Sequence, residues 1–452
     1  MSKLSRRTQS SSPQLQEEVR PFDGLERIQP HAAGVDIGAH EIMVCVPGPA
    51  GTQIVRAFGT YTADLEALAA WLQEHHIETA AMESTGVYWI PLFELLEQRG
   101  FHYCLINAAS CKRFPGRKSD VLDCQWLQTL HSYELLADSF RPDADLISLR
   151  TLLRHRAQLV QHRSPHILHM QKALLQMNLQ LPQVLSDVTG ETGLRIIRAI
   201  VAGECDPHKL AALRNSRCHK DEREIALAFT STWRAEHLFV LEQSLALFDF
   251  YSQQIALCDA EIERTYSVIR PTWDHPALEL PVIARKPHSH SKNQPQGVQV
   301  RKHLYRITGV DLLAVPGISA SIAQTIVAEV GSDLARFPSA RHFCSWLGLA
   351  PHNDISGGKV LRSRTLNNHN RAGQAFIQAA AALTRSNTAF GSFYRRLKSR
   401  VGPSQALVAT AHKLARVVQD VKGQGPLYSH HRPGGGCSLP RPRDRLSQAQ
   451  SR

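Results

Sequence analysis

The chain has 452 residues, 43% hydrophobic and 20% charged, with 52 Lys and Arg against 40 Asp and Glu, a net charge of +12 with His neutral. This length predicts two or three domains with real cores, and the basic balance suits a polyanionic partner. Neither a signal peptide nor an apolar run of about 18 residues is seen, so secretion and a membrane span are not expected. The nine Cys are scattered without a Cys-x-x-Cys and read as small core residues of a reduced, cytoplasmic chain. Cys205, His208, Cys218 and His219 match no zinc module by their spacing.

In chain order, residues 1–29 form a Ser- and Gln-rich arm expected to be disordered. Strand-like and helix-like segments alternate over 30–145. Gly34–Ile37 and Ile42–Val46 form a hairpin about a Gly38-Ala39-His40 turn, Thr62–His75 is a helix, and Glu78–Met82 a strand. Val87–Arg99 is a helix ended by Gly100, Phe101–Asn107 a strand, 111–118 a basic loop, and Asp120–Leu136 a helix capped by Ser119. Residues 146–282 read as two long helices of coiled-coil type. The first carries Arg154, His155, Arg156, His162, Arg163, His166 and His169, either on a scaffold or dimerisation arm or on a face for nucleic acid. A linker over 283–303, a compact helical domain over 304–422 and a Gly/Arg-rich tail over 423–452, expected to be disordered, complete the chain. The expected fold class is therefore α/β plus all-α.

Four acids carry the main chemical signal. Asp36 sits in the apolar run Ala-Gly-Val-Asp-Ile-Gly and Glu83 ends Thr-Ala-Ala-Met-Glu. Asp120 and Asp123 are three apart at a helix start, so they share a face. Buried acids are costly unless neutralised. Strand, Asp, Gly turn, strand is how a ribonuclease-H-like sheet presents its first metal ligand, and a later Glu with a helical Asp-x-x-Asp completes a set suited to two Mg²⁺ ions, with Mn²⁺ as a substitute. Alone, Val-Asp-Ile-Gly also opens actin-like kinases, but no second Asp-x-Gly half is found. Asp120 and Asp123 by themselves fit acids attracted to a helix dipole equally well.

Residues 312–329 resemble a helix-hairpin-helix, in which Gly317 and Ser319 would present backbone N–H groups to a DNA phosphate; a plain packing corner is the alternative. In Ile355-Ser-Gly-Gly-Lys359, Ser356 precedes two glycines and a Lys, a pattern that spacing alone assigns to an ordinary turn. From Ile355 to Gln419 there is no Asp or Glu but eleven Lys and Arg, among them Lys359, Arg362, Arg364, Arg371, Arg395 and Arg396. A stretch this long without acids argues for a phosphate-binding face.

These motifs together resemble the insertion-sequence transposases with an Asp-Glu-Asp-Asp RuvC-like domain, relatives of the Piv-type DNA invertases. The resemblance rests on Val35-Asp-Ile-Gly-Ala-His40, Met82-Glu-Ser-Thr-Gly-Val-Tyr-Trp89, Lys118-Ser-Asp-Val-Leu-Asp-Cys-Gln-Trp-Leu127, Val315-Pro-Gly-Ile-Ser319, Ser345-Trp-Leu-Gly-Leu-Ala-Pro351, Ile355-Ser-Gly-Gly-Lys359 and Tyr394-Arg-Arg396. It implies a RuvC-like catalytic domain over 30–145 and a helical transposase domain over 304–422. Asp36, Glu83, Asp120 and Asp123 would be metal ligands, and Ser356 a nucleophile that holds a phosphoserine. Double-stranded DNA at element ends and target, a structured guide RNA, and a dimer or tetramer in which one subunit's RuvC-like domain completes another's serine site are the implied partners. A prokaryotic cytoplasmic location, on the nucleoid when DNA-bound, goes with them. A metal-dependent nuclease using water, or a non-catalytic nucleic-acid-binding protein, remains the alternative.

Overall fold

The structure is a computed structural model and describes residues 26–84, 86–106, 119–141, 144–216, 218, 220–271, 280, 293–334, 336–365 and 370–423. Most of the N-terminal arm, the basic loop at 111–118, the first part of the 283–303 linker and the tail from 424 lie outside these residues. The chain divides into two compact units, Met1–Arg141 and Pro142–Arg452.

The first unit is a five-stranded sheet: β1 (Ala32–Ile37), β2 (Ile42–Pro47), β3 (Gln53–Phe58), β4 (Thr79–Glu83) and β5 (His102–Ile106). Helices α1 (Thr62–Glu74) and α2 (Trp89–Gln98) intervene, and α3 (Asp120–Ser132) follows. The strand order is β3-β2-β1-β4-β5, with β1, β2 and β3 antiparallel to their neighbours and β1, β4 and β5 parallel. The hairpin and its turn fall where the sequence puts them, with Gly38 N–H donating to Glu41 O at 2.9 Å. Strand β3 was not expected; its outer residues Arg56 and Ala57 are exposed, which hides the alternation. Helix α3 ends at Ser132 rather than Leu136, because Tyr133 leaves helical geometry and Glu134 turns to φ 53°.

Side chains alternate across the sheet, and the alternation separates two jobs. Ala33, Val35, Val44, Val46, Ala80 and Met82 point into the core beneath α1 and α2. The opposite face receives α3, where Ala81, Cys104 and Ile106 pack on Leu127. Asp36 and Glu83 belong to that second set, in step with Gly34 and Ala81. The close fit of α3 requires Gly34: a Cβ there would lie 2.2 Å from Cys124 O and 2.3 Å from Gln128 N, both helix backbone. Gly34→Ala should therefore push α3 off the sheet and lower the stability of this unit by about 2–3 kcal/mol in a urea melt. An unchanged midpoint would contradict so close an approach.

The second unit begins with α4 (Ala144–Gln176), then the short helices α5 (Leu181–Val184), α6 (Glu191–Val201), α7 (Pro207–Ala212) and α8 (Glu222–Leu227), and the long α9 (Ala235–Val268). Leu152 and Arg156 of α4 meet Cys258 and Asp259 of α9, and Arg163, further along α4, meets the earlier Ser252, so the pair is antiparallel. The short helices close a separate core with one end of this pair around Met170, Leu174, Ile196 and Leu241.

Three arginines of α4 are paired within the protein. Arg154 makes a two-pronged pair with Glu329 at 2.9 and 2.7 Å. Arg156 grips Asp259 at 2.5 and 3.1 Å and donates to Asn293 O at 2.9 Å. Arg163 donates to Ser252 and to Asn293. Of the two readings of this helix, these three arginines favour the scaffold.

The remaining helices are α10 (Val300–Thr308), α11 (Ala320–Val330), α12 (Ala340–Trp346), α13 (Arg371–Leu383), α14 (Ala389–Val401) and α15 (Pro403–Gly423). Between α12 and α13 stands an antiparallel hairpin, β6 (His352–Ser356) and β7 (Lys359–Arg364). The all-helical expectation for this region is thus wrong at one place, and the expected linker ends at Val300, where α10 starts.

Candidate active site

The four acids converge at one end of the sheet of the first unit. The β1–β4 register runs from Ala32 opposite Thr79 to Val35 opposite Met82, so one step further Asp36 and Glu83 come side by side. Ser84 fixes the end of β4: its N–H and its hydroxyl both donate to Ile106 O at 2.9 Å. Ser119 caps α3, its hydroxyl accepting from Leu122 N–H at 3.3 Å, and Asp120 and Asp123 occupy the first turn, exposed to solvent.

The electrostatics report the convergence directly. Asp36, half-buried, is pushed up to about 6, first by burial and then by Asp120, Asp123 and Glu83, against a hydrogen bond from the Ile37 backbone. All three predicted partners therefore lie close enough to repel it. Among the described residues no three acidic, His or Cys side chains are drawn tightly enough to form a ready-built metal shell; the acids are gathered but open. Hard oxygen donors crowded against one another are the set that Mg²⁺ or Mn²⁺ fits.

This strain has a measurable pH dependence. An acid held near 6 opposes folding once it ionises, so the metal-free protein loses stability as pH rises from about 4 through 6. Full shielding would make this about 3 kcal/mol, and solvent screening at a half-buried site reduces it to about 1 kcal/mol. In a chelator, Asp36→Asn should melt higher than wild type at about pH 7.5 and equally at about pH 4. A wild type that is the more stable at both would contradict the crowding.

Sequence reasoning missed what holds α3 in place. Beside the apolar Cys124, Leu127 and Leu130, its buried side carries polar groups: Gln128, Thr129, His131 and Ser132 are all buried. Gln128 Nε2 donates to Ala32 O at 3.2 Å, Gln53 Nε2 donates to Gln128 Oε1 at 2.7 Å, and His131 Nε2 lies 2.8 Å from Thr79 Oγ1. Burial lowers the His131 pKa, which keeps the ring neutral at pH 7. Polar residues interleaved with Leu127 and Leu130 give no sign in the sequence of which of them is buried.

Ser356 lies in the second unit, as the last residue of β6. The turn is Gly357-Gly358 with φ +55° and +76°, a two-residue connection of the kind only glycine makes easily. Across it Ser356 pairs with Lys359, Asp354 with Arg362 and His352 with Arg364, while Leu361 is the extra residue of a bulge. Directly opposed residues share a face. Ser356, Lys359, Arg362 and Arg364 are therefore on one face with His352 and Asp354, and Ile355 and Val360 on the other. Every residue of both strands is exposed.

The other predicted contact residues have mixed placements. Gly317, at φ +86°, faces α13: a Cβ there would meet Ala379 O at 2.7 Å and the Leu383 side chain at 2.8 Å. Its glycine is required by protein packing, whatever its N–H does. Ser319 caps α11, accepting from Ile322 N–H at 3.4 Å. Arg371 opens α13 and is exposed. Arg395 donates to Ser386 O at 2.8 Å and Thr384 O at 3.4 Å, closing the end of α13, whereas the exposed Arg396 extends the basic face of α14.

Two family models match the chain. Residues 33–179 match the DEDD transposase model of IS110 elements, and residues 311–395 match the transposase IS116/IS110/IS902 family, together just over half the chain. A Streptomyces coelicolor protein provisionally named as the mini-circle transposase for IS117 is 37% identical over 86 residues, 19% of this chain and 21% of the relative. The insertion element IS110 uncharacterized 43.6 kDa protein of the same organism is 29% identical over 126 residues, 27% of this chain and 31% of the relative. The chain thus spans only about a fifth to a third of the length of these curated relatives. On both family models, the chain belongs to the IS110 family of insertion-sequence transposases.

Proposed function

We propose that this chain is the DNA transposase of an insertion sequence, cutting and rejoining DNA strands by phosphoryl transfer. The observation that carries the reading is the convergence of Asp36, Glu83, Asp120 and Asp123 at one end of a sheet ordered β3-β2-β1-β4-β5, an arrangement that fits a RuvC-like, ribonuclease-H-like domain. These four acids would hold Mg²⁺, or Mn²⁺ in its place, which when bound neutralises the charge building on the phosphate.

Ser356 supplies the nucleophile. Its Oγ forms a bond to phosphorus as the bond from phosphorus to the departing sugar oxygen breaks. The serine proton passes to solvent and the departing oxygen takes up one. A hydroxyl of the new strand end then attacks the phosphoserine and releases Ser356, so no high-energy cofactor is consumed. Lys359, Arg362 and Arg364, on the face of Ser356, hold the phosphates beside it. The acid-free segment from 355 to 419 supports DNA as the polyanion. A structured guide RNA, a homo-oligomer and a cytoplasmic site on the nucleoid follow from the family resemblance. Among the described residues no helix is long and apolar enough to cross a membrane. Nicking of supercoiled DNA in Mg²⁺ by wild type, and its loss in Asp36→Ala, tests the reading; nicking by Asp36→Ala at the wild-type rate would refute it.

A further inference from the structure

We infer that Gln53 and Gln128 are positioning residues for the carboxylate site, fixing α3 so that Asp120 and Asp123 meet Asp36 and Glu83; this rests on the metal-binding role proposed for those acids. Gln128 is 1% exposed and lies at the heart of a cluster of buried polar side chains. Gln53, at the start of β3, donates from one amide group toward three acceptors of α3: Gln128 Oε1 at 2.7 Å, Gln125 O at 3.1 Å and Thr129 Oγ1 at 3.1 Å. Gln128 in turn donates to Ala32 O of β1. A second tie, His131 to Thr79, reaches β4. Ala32 and Thr79 are themselves partners in the β1–β4 register.

The lengths match. From Ala32 to Asp36, and from Thr79 to Glu83, the strands advance four residues, about 13 Å. From Gln128 back to Asp123 and Asp120, the helix covers five to eight residues, about 8–12 Å. A helix pinned to the sheet at Ala32 and Thr79 thus delivers its first turn to the level of Asp36 and Glu83. A slip of one residue would rotate it by about 100° and carry both aspartates off that face. Apolar side chains would pack almost as well in several rotations, whereas hydrogen bonds to fixed partners accept one. Gly34, which lets the helix backbone touch β1, makes the contact short enough for these amide bonds.

A purely structural role predicts lost stability, and a positioning role predicts lost metal affinity; removing both partners of a buried hydrogen bond separates them, because that change is close to neutral for folding. The test uses the full chain carrying Gln53→Met, Gln128→Met, or both. Free Mn²⁺ is followed by electron paramagnetic resonance, metal-free stability by thermal melting in a chelator, and amide exchange reports on α3. The double variant should melt close to wild type without metal, exchange α3 amides faster, and bind Mn²⁺ about tenfold more weakly. Wild-type Mn²⁺ affinity in the folded double variant would overturn the inference. If Gln128→Met does not fold, Gln53→Met at the sheet edge decides alone. Asp36→Asn is the control: Mn²⁺ affinity that this change leaves untouched would instead overturn the metal-binding role of the acids.

Discussion

Ser356→Ala should leave DNA binding intact and lower strand cleavage and rejoining by at least about 10³-fold. The position makes this a clean experiment. Ser356 is exposed on a hairpin whose two strands are exposed throughout, so removing its hydroxyl creates no cavity and disturbs no core. The glycines that set the turn stay in place, and the basic face with Lys359, Arg362 and Arg364 keeps its register. Lys359→Ala and Arg362→Ala should act differently. Each would remove a proposed phosphate contact, weakening DNA binding on any sequence and flattening the salt dependence by roughly one unit of slope. A nuclease that uses water would keep cutting after Ser356→Ala, and a binding protein without catalysis would show salt-sensitive affinity alone. Three variants in one binding and cleavage assay therefore separate nucleophile, phosphate clamp and bystander.

The largest effect on folding should come from Asp259→Ala, at about 3–5 kcal/mol. Arg156 and Asp259 are 8% and 2% exposed at their side chains and join the two long helices of the second unit. The carboxylate also accepts from Gln296 N–H at 3.1 Å, while Arg156 donates to Asn293 O. Truncating the acid leaves a guanidinium buried without its counter-charge and orphans the Gln296 amide. For a unit of this size the loss corresponds to a fall in Tm of about 6–12 °C, confined to the transition of the second unit. Arg156→Met with Asp259→Leu should recover much of it, because two apolar groups of similar volume carry no desolvation cost. A single variant Asp259→Ala that melts like wild type would show that the pair is solvated in solution.

The acidic centre was legible in the sequence because its chemistry and its local structure coincide. Asp36 lies within and Glu83 closes a short apolar run that reads as a strand, and Ser119 announces the helix that Asp120 and Asp123 begin. Their convergence was less legible, since it depends on strand order and on which face of each strand is turned to α3. That in turn depends on Gly34, Gln53 and Gln128, whose residue types carry no signal of their own. The hairpin at Ser356 was missed for a different reason. Gly-Gly between two short alternating runs is a hairpin pattern, but the strands bury nothing, so no apolar periodicity marks them. The basic stripe of α4 left two readings open because charge on a helix face looks the same whether its partner is a phosphate or an acid elsewhere in the fold; Glu329 and Asp259 lie 175 and 103 residues away in sequence from the arginines they hold.

The most direct measurement is the identity of the protein atom joined to DNA during the reaction. Wild-type protein, stopped in Mg²⁺ with its DNA and digested with protease, should yield the peptide around Ser356 carrying a nucleotide phosphate, and Ser356→Ala should yield none. Strand cleavage that proceeds with no protein–DNA adduct, or an adduct mapped to another residue, would contradict the account.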